Sequence, residues 1–354
     1  MAENADRVDS SYRATLVSQD PLDYFMQHDE EAPRLRVSDV VLRMNQSRKE
    51  LFAYLIRMAT NSKWSHSALV YLVKNPLKGL DNTFLIEAKT KGIILSSWRN
   101  EVMPFDTFTM GIKRPKLDWY RESPDEEARH DPYNPEDPPG IGYLQHVRGV
   151  AMDQMYGLYD HKVAWELASL YVERIAQRHL SKVPQVAEAA EKLTDLFKKE
   201  DAKKVSQAHI MRFICSGLTQ YSFFAALRFR LLRDLQIPAH RESALNNLRN
   251  MQRVLYREDP DQVMSTYIQS ILAGERDLAQ PIPDDVLDLL KTATPADFNN
   301  SPDLQWRYII LAGRVWQIDE VPTGYIPQSE DEKGVLAMMN PEHRSGDDEQ
   351  NAVT

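Results

Sequence analysis

Hydrophobic positions recur with two different periods along this chain, and the two periods predict two kinds of structure. Short apolar runs bounded by turn residues predict strands over residues 37–43, 67–73, 83–88, 92–95 and 105–113. A helical stripe of apolar residues between the first two runs predicts a helix over residues 48–60. The first third of the chain is therefore expected to form a small antiparallel sheet with one helix.

The remainder of the chain favours helices. Helical spacing of apolar residues predicts helices over residues 152–179, 183–204, 215–235, 242–258, 264–273 and 284–291. Thr294-Pro295 is typical of a helix start, since a capping residue precedes proline in the first turn. The stretch from Ser123 to Gly142 is rich in proline and acidic residues and predicts an exposed loop.

These patterns predict six regions. They are a flexible acidic N-terminus (1–34), a strand-rich half of the core (35–121), a loop rich in proline and acids (122–142), a helical insertion (143–210), a cysteine helix followed by a C-terminal helical part (211–316), and an acidic tail (317–354) that is polar from Ser329 onward.

The net charge of −9 hides an uneven distribution. Residues 1–34, 122–137 and 317–354 carry −5, −6 and −7, which leaves about +9 on the rest of the chain. Acidic segments that aid solubility explain this balance most simply, and an anionic substrate or membrane surface is the alternative. We find no nucleic-acid-binding motif, so no nucleic-acid partner is predicted.

A single cysteine excludes an intramolecular disulfide and favours a reducing compartment. Residues 1–29 show no basic segment followed by an apolar run, and no stretch reaches the ~18 apolar residues that a membrane span needs. We therefore expect a cytoplasmic protein, with signal-independent export as an effector left open.

That cysteine, Cys215, is the first candidate for chemistry. A β-like trio (Arg212, Phe213 and Ile214) precedes it and a helical pattern follows it, which predicts that Cys215 opens a helix. Unsatisfied N–H groups and the positive end of the helix dipole favour a thiolate there, and a thiolate attacks carbonyl carbons. The alternative is a buried cysteine that packs as a small hydrophobe.

A nucleophilic cysteine needs a base, and His66 lies where a polar segment enters a β-run. Glu87 is the one carboxylate in the next apolar strand, and it would orient the imidazole if the two strands pair. A structural histidine and a solvent-facing glutamate are the alternatives, and His146 is the nearest competing histidine. No metal-ligand cluster, phosphate-binding loop or serine elbow is present, so no metal or cofactor is predicted.

The order of these residues resembles the circularly permuted branch of the NlpC-type papain-like superfamily, which includes YiiX-like proteins and relatives of lecithin–retinol acyltransferase. Four segments carry the resemblance: Ser38-Asp39-Val40-Val41-Leu42-Arg43, Trp64-Ser65-His66-Ser67-Ala68-Leu69-Val70, Leu85-Ile86-Glu87-Ala88 and Phe213-Ile214-Cys215-Ser216-Gly217-Leu218. Two weaker similarities are Tyr156-Gly157-Leu158-Tyr159-Asp160 and the T-P-x-D-x-x-x-S segment from Thr294 to Ser301.

The resemblance implies an α+β fold, in which a permuted papain-like core packs a small antiparallel sheet on the cysteine helix, with a helical insertion and additional C-terminal helices. It also implies a cysteine hydrolase of the thiol peptidase or amidase class, with Cys215 as nucleophile, His66 as base and Glu87 as the orienting group. The expected substrate has an amide bond in a peptide, an isopeptide or a lipid amide.

Two alternatives remain, namely a lipid acyltransferase or esterase that uses the same site, and a non-catalytic module whose helical insertion contacts a protein or membrane surface. The chain departs from the family pattern at Ser38, where glycine is usual, and at Gly217, where many permuted relatives have glutamate. Phe213 and Ile214 precede the cysteine, where a tyrosine is frequent.

Overall fold

The fold of this chain, taken from a computed structural model, is α+β. The structure describes residues 11–27, 34–45, 57, 62–89, 92–102, 108–116, 141–155, 158–159, 212–238, 241–250 and 262–339. Among these residues, no helix has the length and apolar character that crossing a membrane requires.

The strands are β1 (Tyr12–Ser18), β2 (Val40–Asn45), β3 (His66–Leu72), β4 (Phe84–Lys89), β5 (Gly92–Ser97), β6 (Phe108–Pro115), β7 (Leu158–Tyr159), β8 (Arg212–Phe213), β9 (Leu304–Leu311) and β10 (Arg314–Glu320). The helices are α1 (Pro21–Met26), α2 (Trp98–Val102), α3 (Ile141–Asp153), α4 (Cys215–Leu235), α5 (Arg241–Asn250), α6 (Gln262–Leu272), α7 (Asp284–Lys291), α8 (Pro295–Asn300) and α9 (Glu330–Ala337).

Eight strands form one antiparallel sheet in the order β1-β10-β9-β6-β2-β3-β4-β5. The sheet is larger than the small sheet that the sequence predicts, because three strands join it from the two ends of the chain. In β9, Leu304, Trp306, Tyr308 and Ile310 alternate with other residues and are buried, so the part after the cysteine helix is not purely helical.

The expectations for the chain termini are wrong where the structure describes them. Residues 1–34 include β1 and α1, and residues 317–354 include most of β10 and all of α9. Val335 and Leu336 of α9 are buried, which anchors a segment predicted to be a polar tail.

The strands from β2 to β6 lie within three residues of their predicted bounds, and α4 and α7 have the predicted bounds. Helices were also predicted over 242–258 and 264–273, where α5 and α6 lie. The helix predicted from residue 152 is wrong at its start, since α3 ends at Asp153 and a strand follows at Leu158. The predictions over 160–179 and 183–204, most of 48–60 and most of the 122–142 loop lie outside the described residues.

The central strands bury both faces, as side-chain alternation requires. On one face, Leu42, Leu69 and Ile86 belong to a core that includes Leu218 and Phe224 of the cysteine helix α4. On the other face, Val41, Ala68 and Leu85 pack in a second core with Phe25 of α1 and Trp98 of α2. The sheet is therefore a middle layer between two sets of helices.

The T-P-x-D-x-x-x-S segment is fixed to this sheet by hydrogen bonds. Thr294 and Asp297 form a capping box that starts α8. The buried ammonium of Lys113 donates to the carbonyl oxygens of Phe298 and Asn299, each at 2.7 Å, and so caps the C-terminal end of α8. The indole Nε1 of Trp64 donates to Asn299 Oδ1 at 2.8 Å, which connects this segment to the residues before His66.

Candidate active site

Cys215 is the first residue of α4, as the sequence predicts. The strand β8 leads into it and pairs in parallel with β7, which lies in the segment 156–160 named among the weaker similarities. The backbone N–H groups of a helix's first turn have no intrahelical acceptors, and they stabilise negative charge nearby. The thiol is buried, with 2% of the residue exposed, so solvation by water contributes little to its ionisation.

His66 and Glu87 meet at one end of the sheet. His66 is the first residue of β3 and Glu87 lies near the end of the antiparallel neighbour β4, so the pairing of the strands places them side by side. The imidazole Nε2 lies 2.6 Å from Glu87 Oε2. Since that nitrogen is engaged, the carboxylate fixes the orientation and the tautomer of the ring.

Two cations hold the Glu87 carboxylate as well. Arg43 Nη2 lies 2.5 Å from Oε2, and Lys89 Nζ lies 3.0 Å from Oε1. Glu101 of α2 bonds to both cations, to the Arg43 guanidinium and to Lys89 Nζ at 2.8 Å. We call these four residues, Arg43, Glu87, Lys89 and Glu101, the Glu87 cluster.

The cluster keeps the buried carboxylate ionised. Burial by itself raises the pKa of Glu87, but the hydrogen bond from His66 and the charges of Arg43 and Lys89 outweigh it. The result is a pKa well below the ordinary range of a glutamate. Glu87 is therefore ionised at neutral pH and accepts the hydrogen bond from His66.

The second contact of His66 is with Cys215. The imidazole interacts with the thiol, by charge and as a hydrogen-bond partner, while its Nε2 faces Glu87. Burial raises the pKa of the Cys215 thiol, but His66, the backbone N–H of Ser67 and the Ser216 hydroxyl lower it to about 7. The Ser216 Oγ lies 3.7 Å from the sulfur.

The pKa of the His66 imidazole shifts in the opposite direction. Burial lowers the pKa of His66, but the interaction with Cys215 and the hydrogen bond to Glu87 raise it to about 9. A thiol that titrates at about 7 beside an imidazole that titrates at about 9 forms a thiolate–imidazolium pair in the interval between them. His66 is the more exposed partner, with 20% of its side chain accessible.

The structure thus brings together the three residues that the sequence singles out, and it adds three that the sequence reasoning missed. Arg43, Lys89 and Glu101 were not predicted as parts of the site. A signal for Arg43 was present, because it is a charged residue that follows the apolar run Val40–Leu42 and pairs in register with His66. Lys89 and Glu101 offered no comparable pattern.

The competing histidine lies apart from this arrangement. His146 is exposed on α3, and its ring centroid lies 5.8 Å from that of Phe229 on α4. Within the described part of the chain, no group of three or more His, Cys, Asp or Glu side chains is arranged to hold a metal ion.

Two of the positions at which the chain departs from the pattern it resembles, Ser38 and Gly217, can be related to the structure. Ser38 has a φ of 65°, in the left-handed region that favours glycine, and its hydroxyl donates to the Leu144 carbonyl at 2.7 Å. A Cβ at Gly217 would lie 2.5 Å from the carbonyl oxygen of Lys291, because α7 packs directly on the backbone of α4. A glutamate could not occupy position 217 without moving α7.

No protein-family model, curated protein or solved structure matches this chain.

Proposed function

We propose that this protein is a cysteine hydrolase that cleaves an amide bond through an acyl-enzyme on Cys215. The observation that supports the proposal most directly is the position of the His66 ring, which bridges the Cys215 thiol on one side and the Glu87 carboxylate on the other. Acyl transfer by a cysteine requires this arrangement, in which the nucleophile contacts a base and the base contacts an orienting group.

The chemistry follows from these contacts. The Cys215 thiolate attacks the carbonyl carbon, and the carbonyl oxygen takes the negative charge beside the first N–H groups of α4. As the tetrahedral intermediate collapses, the C–N bond breaks and the His66 imidazolium gives its proton to the leaving amine. Water then attacks the thioester while His66 takes its proton, and a carboxylic acid leaves with Cys215 restored.

A permuted papain-like core is the finer fold assignment that goes with this proposal. The segments that carry the resemblance meet at the site: the strand that begins with His66, the strand of Glu87 and the helix that begins with Cys215. The left-handed backbone at Ser38, where the family pattern has glycine, also supports it. Lipid acyl transfer or ester cleavage would use the same three residues, and the non-catalytic module would use none of them.

A thiol-reactive probe tests the proposal without knowledge of the substrate. Because the chain has one cysteine, intact-mass spectrometry after iodoacetamide treatment reports on Cys215 alone. We expect rapid alkylation of the wild-type protein near neutral pH and slow alkylation of the His66→Ala variant. The matched control is His146→Ala, which removes an exposed imidazole from α3 and should leave the rate unchanged.

Two results would count against the proposal. One is that iodoacetamide alkylates the wild type and His66→Ala at equal rates under native conditions. Alkylation in urea is the control, because equal rates for the two unfolded proteins show that the reagent is not limiting. The other is turnover by Cys215→Ala, once a substrate is found in a panel of peptides, isopeptides, N-acyl amides and phospholipids. On that substrate, Glu87→Gln should lose less activity than Cys215→Ala, since an amide oxygen still holds the imidazole in part.

A further inference from the structure

A group of arginines with too few carboxylates lies at the opposite end of β2 from His66. Asp39 directly precedes β2, and Arg114 of the neighbouring strand β6 binds both of its carboxylate oxygens, Nε to Oδ1 at 2.9 Å and Nη2 to Oδ2 at 2.8 Å. The backbone N–H of Arg36 donates to Oδ2 as well, at 2.8 Å. Both oxygens of the buried Asp39 carboxylate therefore accept hydrogen bonds from these two residues.

Three more guanidiniums lie near this pair, and none of them is bonded to a carboxylate among the residues that the structure describes. Arg34 donates to neutral oxygens, the carbonyl of Tyr24 and Gln27 Oε1. The side chains of Arg36 and Arg307 each contain a buried Nε for which the described residues provide no acceptor. Four arginines and one aspartate leave a surplus of three positive charges in this group, which we call the arginine cluster: Arg34, Arg36, Arg114 and Arg307 with Asp39.

The charges in the cluster are close enough to act on one another. Burial lowers the pKa of Arg36, and the Arg114 and Arg307 guanidiniums lower it further, against the opposing effects of Asp39 and Tyr308. Buried donors without acceptors and repulsion between like charges both disfavour the unliganded state. An anion seated among them would remove both unfavourable contributions.

Tyrosine hydroxyls border the cluster. The Arg34 guanidinium lies 3.9 Å from the ring centroid of Tyr24, and Tyr24 is hydrogen-bonded to Tyr308 of β9. Burial, followed by the effect of Tyr308, raises the pKa of Tyr24 to about 12, so its hydroxyl stays protonated. The group therefore offers hydroxyl as well as guanidinium donors, and guanidinium forks match the oxygens of a tetrahedral oxyanion.

We propose that Arg36 and Arg307, assisted by Arg34, bind a phosphoryl oxyanion, supplied by inorganic phosphate or by the head group of an anionic phospholipid. A phosphate dianion matches the surplus charge better than a single carboxylate does. The site is separate from the candidate active site, because the four residue steps from Asp39 to Arg43 span about 13 Å of strand. The proposal therefore stands or falls independently of the function of Cys215.

The test uses the full chain and two probes, inorganic phosphate and lipid vesicles. In thermal unfolding at constant ionic strength, we expect replacement of chloride by phosphate to raise the wild-type midpoint by about 2–4 °C, as a ligand that binds the folded state does. Arg36→Gln and Arg307→Gln should remove this rise. The matched control is Arg13→Gln, since Arg13 is an exposed arginine that already faces Asp319 at 3.6 Å.

Co-sedimentation with phosphatidylcholine vesicles, with and without phosphatidic acid, separates the two sources of phosphate. Binding that needs phosphatidic acid and is lost in both variants identifies a lipid head group, and a thermal shift without vesicle binding identifies a soluble phosphate. Absence of both effects in the wild type overturns the proposal, as does an unchanged response in the two variants. If Arg36→Gln does not fold, Arg36→Lys replaces it, since lysine keeps the charge but lacks the two-pronged guanidinium. An unweakened response to phosphate in Arg36→Lys also overturns the proposal.

Discussion

At the His66 end of β2, the cations Arg43 and Lys89 face the carboxylates Glu87 and Glu101, whereas at the Asp39 end four guanidiniums surround one carboxylate. Both groups contain buried charged side chains, and both lie at an end of the same strand. The difference is that two cations balance two carboxylates in the Glu87 cluster, whereas the cations of the arginine cluster outnumber its carboxylates among the described residues. A balanced network fixes the geometry of its members, and an unbalanced one favours a ligand of opposite charge.

The comparison separates two uses of buried charge. In the Glu87 cluster the charges act on a neighbour, because they keep Glu87 ionised and so set the state of His66 and Cys215. In the arginine cluster the charges act on one another, because no described carboxylate other than Asp39 faces them. Removing a cation should therefore have opposite effects on stability at the two ends.

The largest effect is expected for Arg43→Met. Removing this guanidinium leaves Glu87 and Glu101 buried with Lys89 as their remaining counterion, and breaking a buried pair in this way costs about 3–5 kcal/mol. Urea denaturation followed by circular dichroism measures the loss. Arg13→Met is the control, and loss of its exposed pair with Asp319 should cost less than about 1 kcal/mol. Equal losses for both variants would contradict the balanced network.

The second effect is on the pH dependence of Cys215 alkylation. In the wild type the rate should rise as the pH increases through about 7, where the thiol ionises. In His66→Ala burial remains but the imidazole is gone, so the rise should move to pH 9 or above, and the rate at pH 7 should fall about 50-fold. A rise at the same pH in both proteins would show that His66 does not set the thiol pKa.

The pH at which hydrolysis declines is expected to be higher than the pH at which alkylation begins. The raised pKa of His66, about 9, means that the imidazolium is present below that pH and is lost as the pH rises through it. Since the leaving amine needs this proton, activity should fall above pH 9 while alkylation continues. A rate profile from pH 6 to 10 on any turned-over substrate checks this sign.

A smaller effect is expected at Ser38, beside Asp39. Ser38→Ala loses the hydrogen bond to the Leu144 carbonyl and keeps the left-handed backbone, which should cost about 1–2 kcal/mol. Ser38→Gly loses the same hydrogen bond but relieves the backbone, so its cost should be smaller by about 1 kcal/mol. Urea midpoints of the two variants give the difference, and a larger loss for glycine would contradict the role assigned to the φ angle.

The smallest effect, and the one of opposite sign, is expected for Arg36→Gln without phosphate. Relief of repulsion from Arg114 and Arg307 should raise the free energy of unfolding by about 0.5 kcal/mol, since Arg36 is partly exposed and solvent screens the interaction. A loss comparable to that of Arg43→Met would mean that the two ends of β2 do not differ.

The central strands and the cysteine helix could be predicted because their patterns are local. The β-rich run after His66 and the helical spacing from Cys215 to Leu235 each specify an element without help from the rest of the chain. The strands β9 and β10 were missed although a signal existed, since Leu304, Trp306 and Tyr308 alternate with polar residues and are buried. Strand β1 has a weaker pattern, with Ala14 as its one buried residue.

The three predicted site residues could be found because each lies in a segment with a recognisable chemical pattern. Their partners could not, because charge pairing joins residues that are far apart in sequence. Arg43 reaches Glu87 across 44 positions and Glu101 across 58, and only the pairing of strands decides which cation meets which carboxylate. The arginine cluster is hidden for the same reason, as Arg307 joins it from β9.

The pairing of β1 with β10 has a consequence for how the protein is made. Tyr12 pairs with Glu320, so β1 is synthesised long before β10 and has to wait for its neighbour. Contacts between such distant residues slow folding, and a strand without its partner is open to pairing with other chains. Synthesis of this protein should therefore be sensitive to chaperones that shield its N-terminal segment.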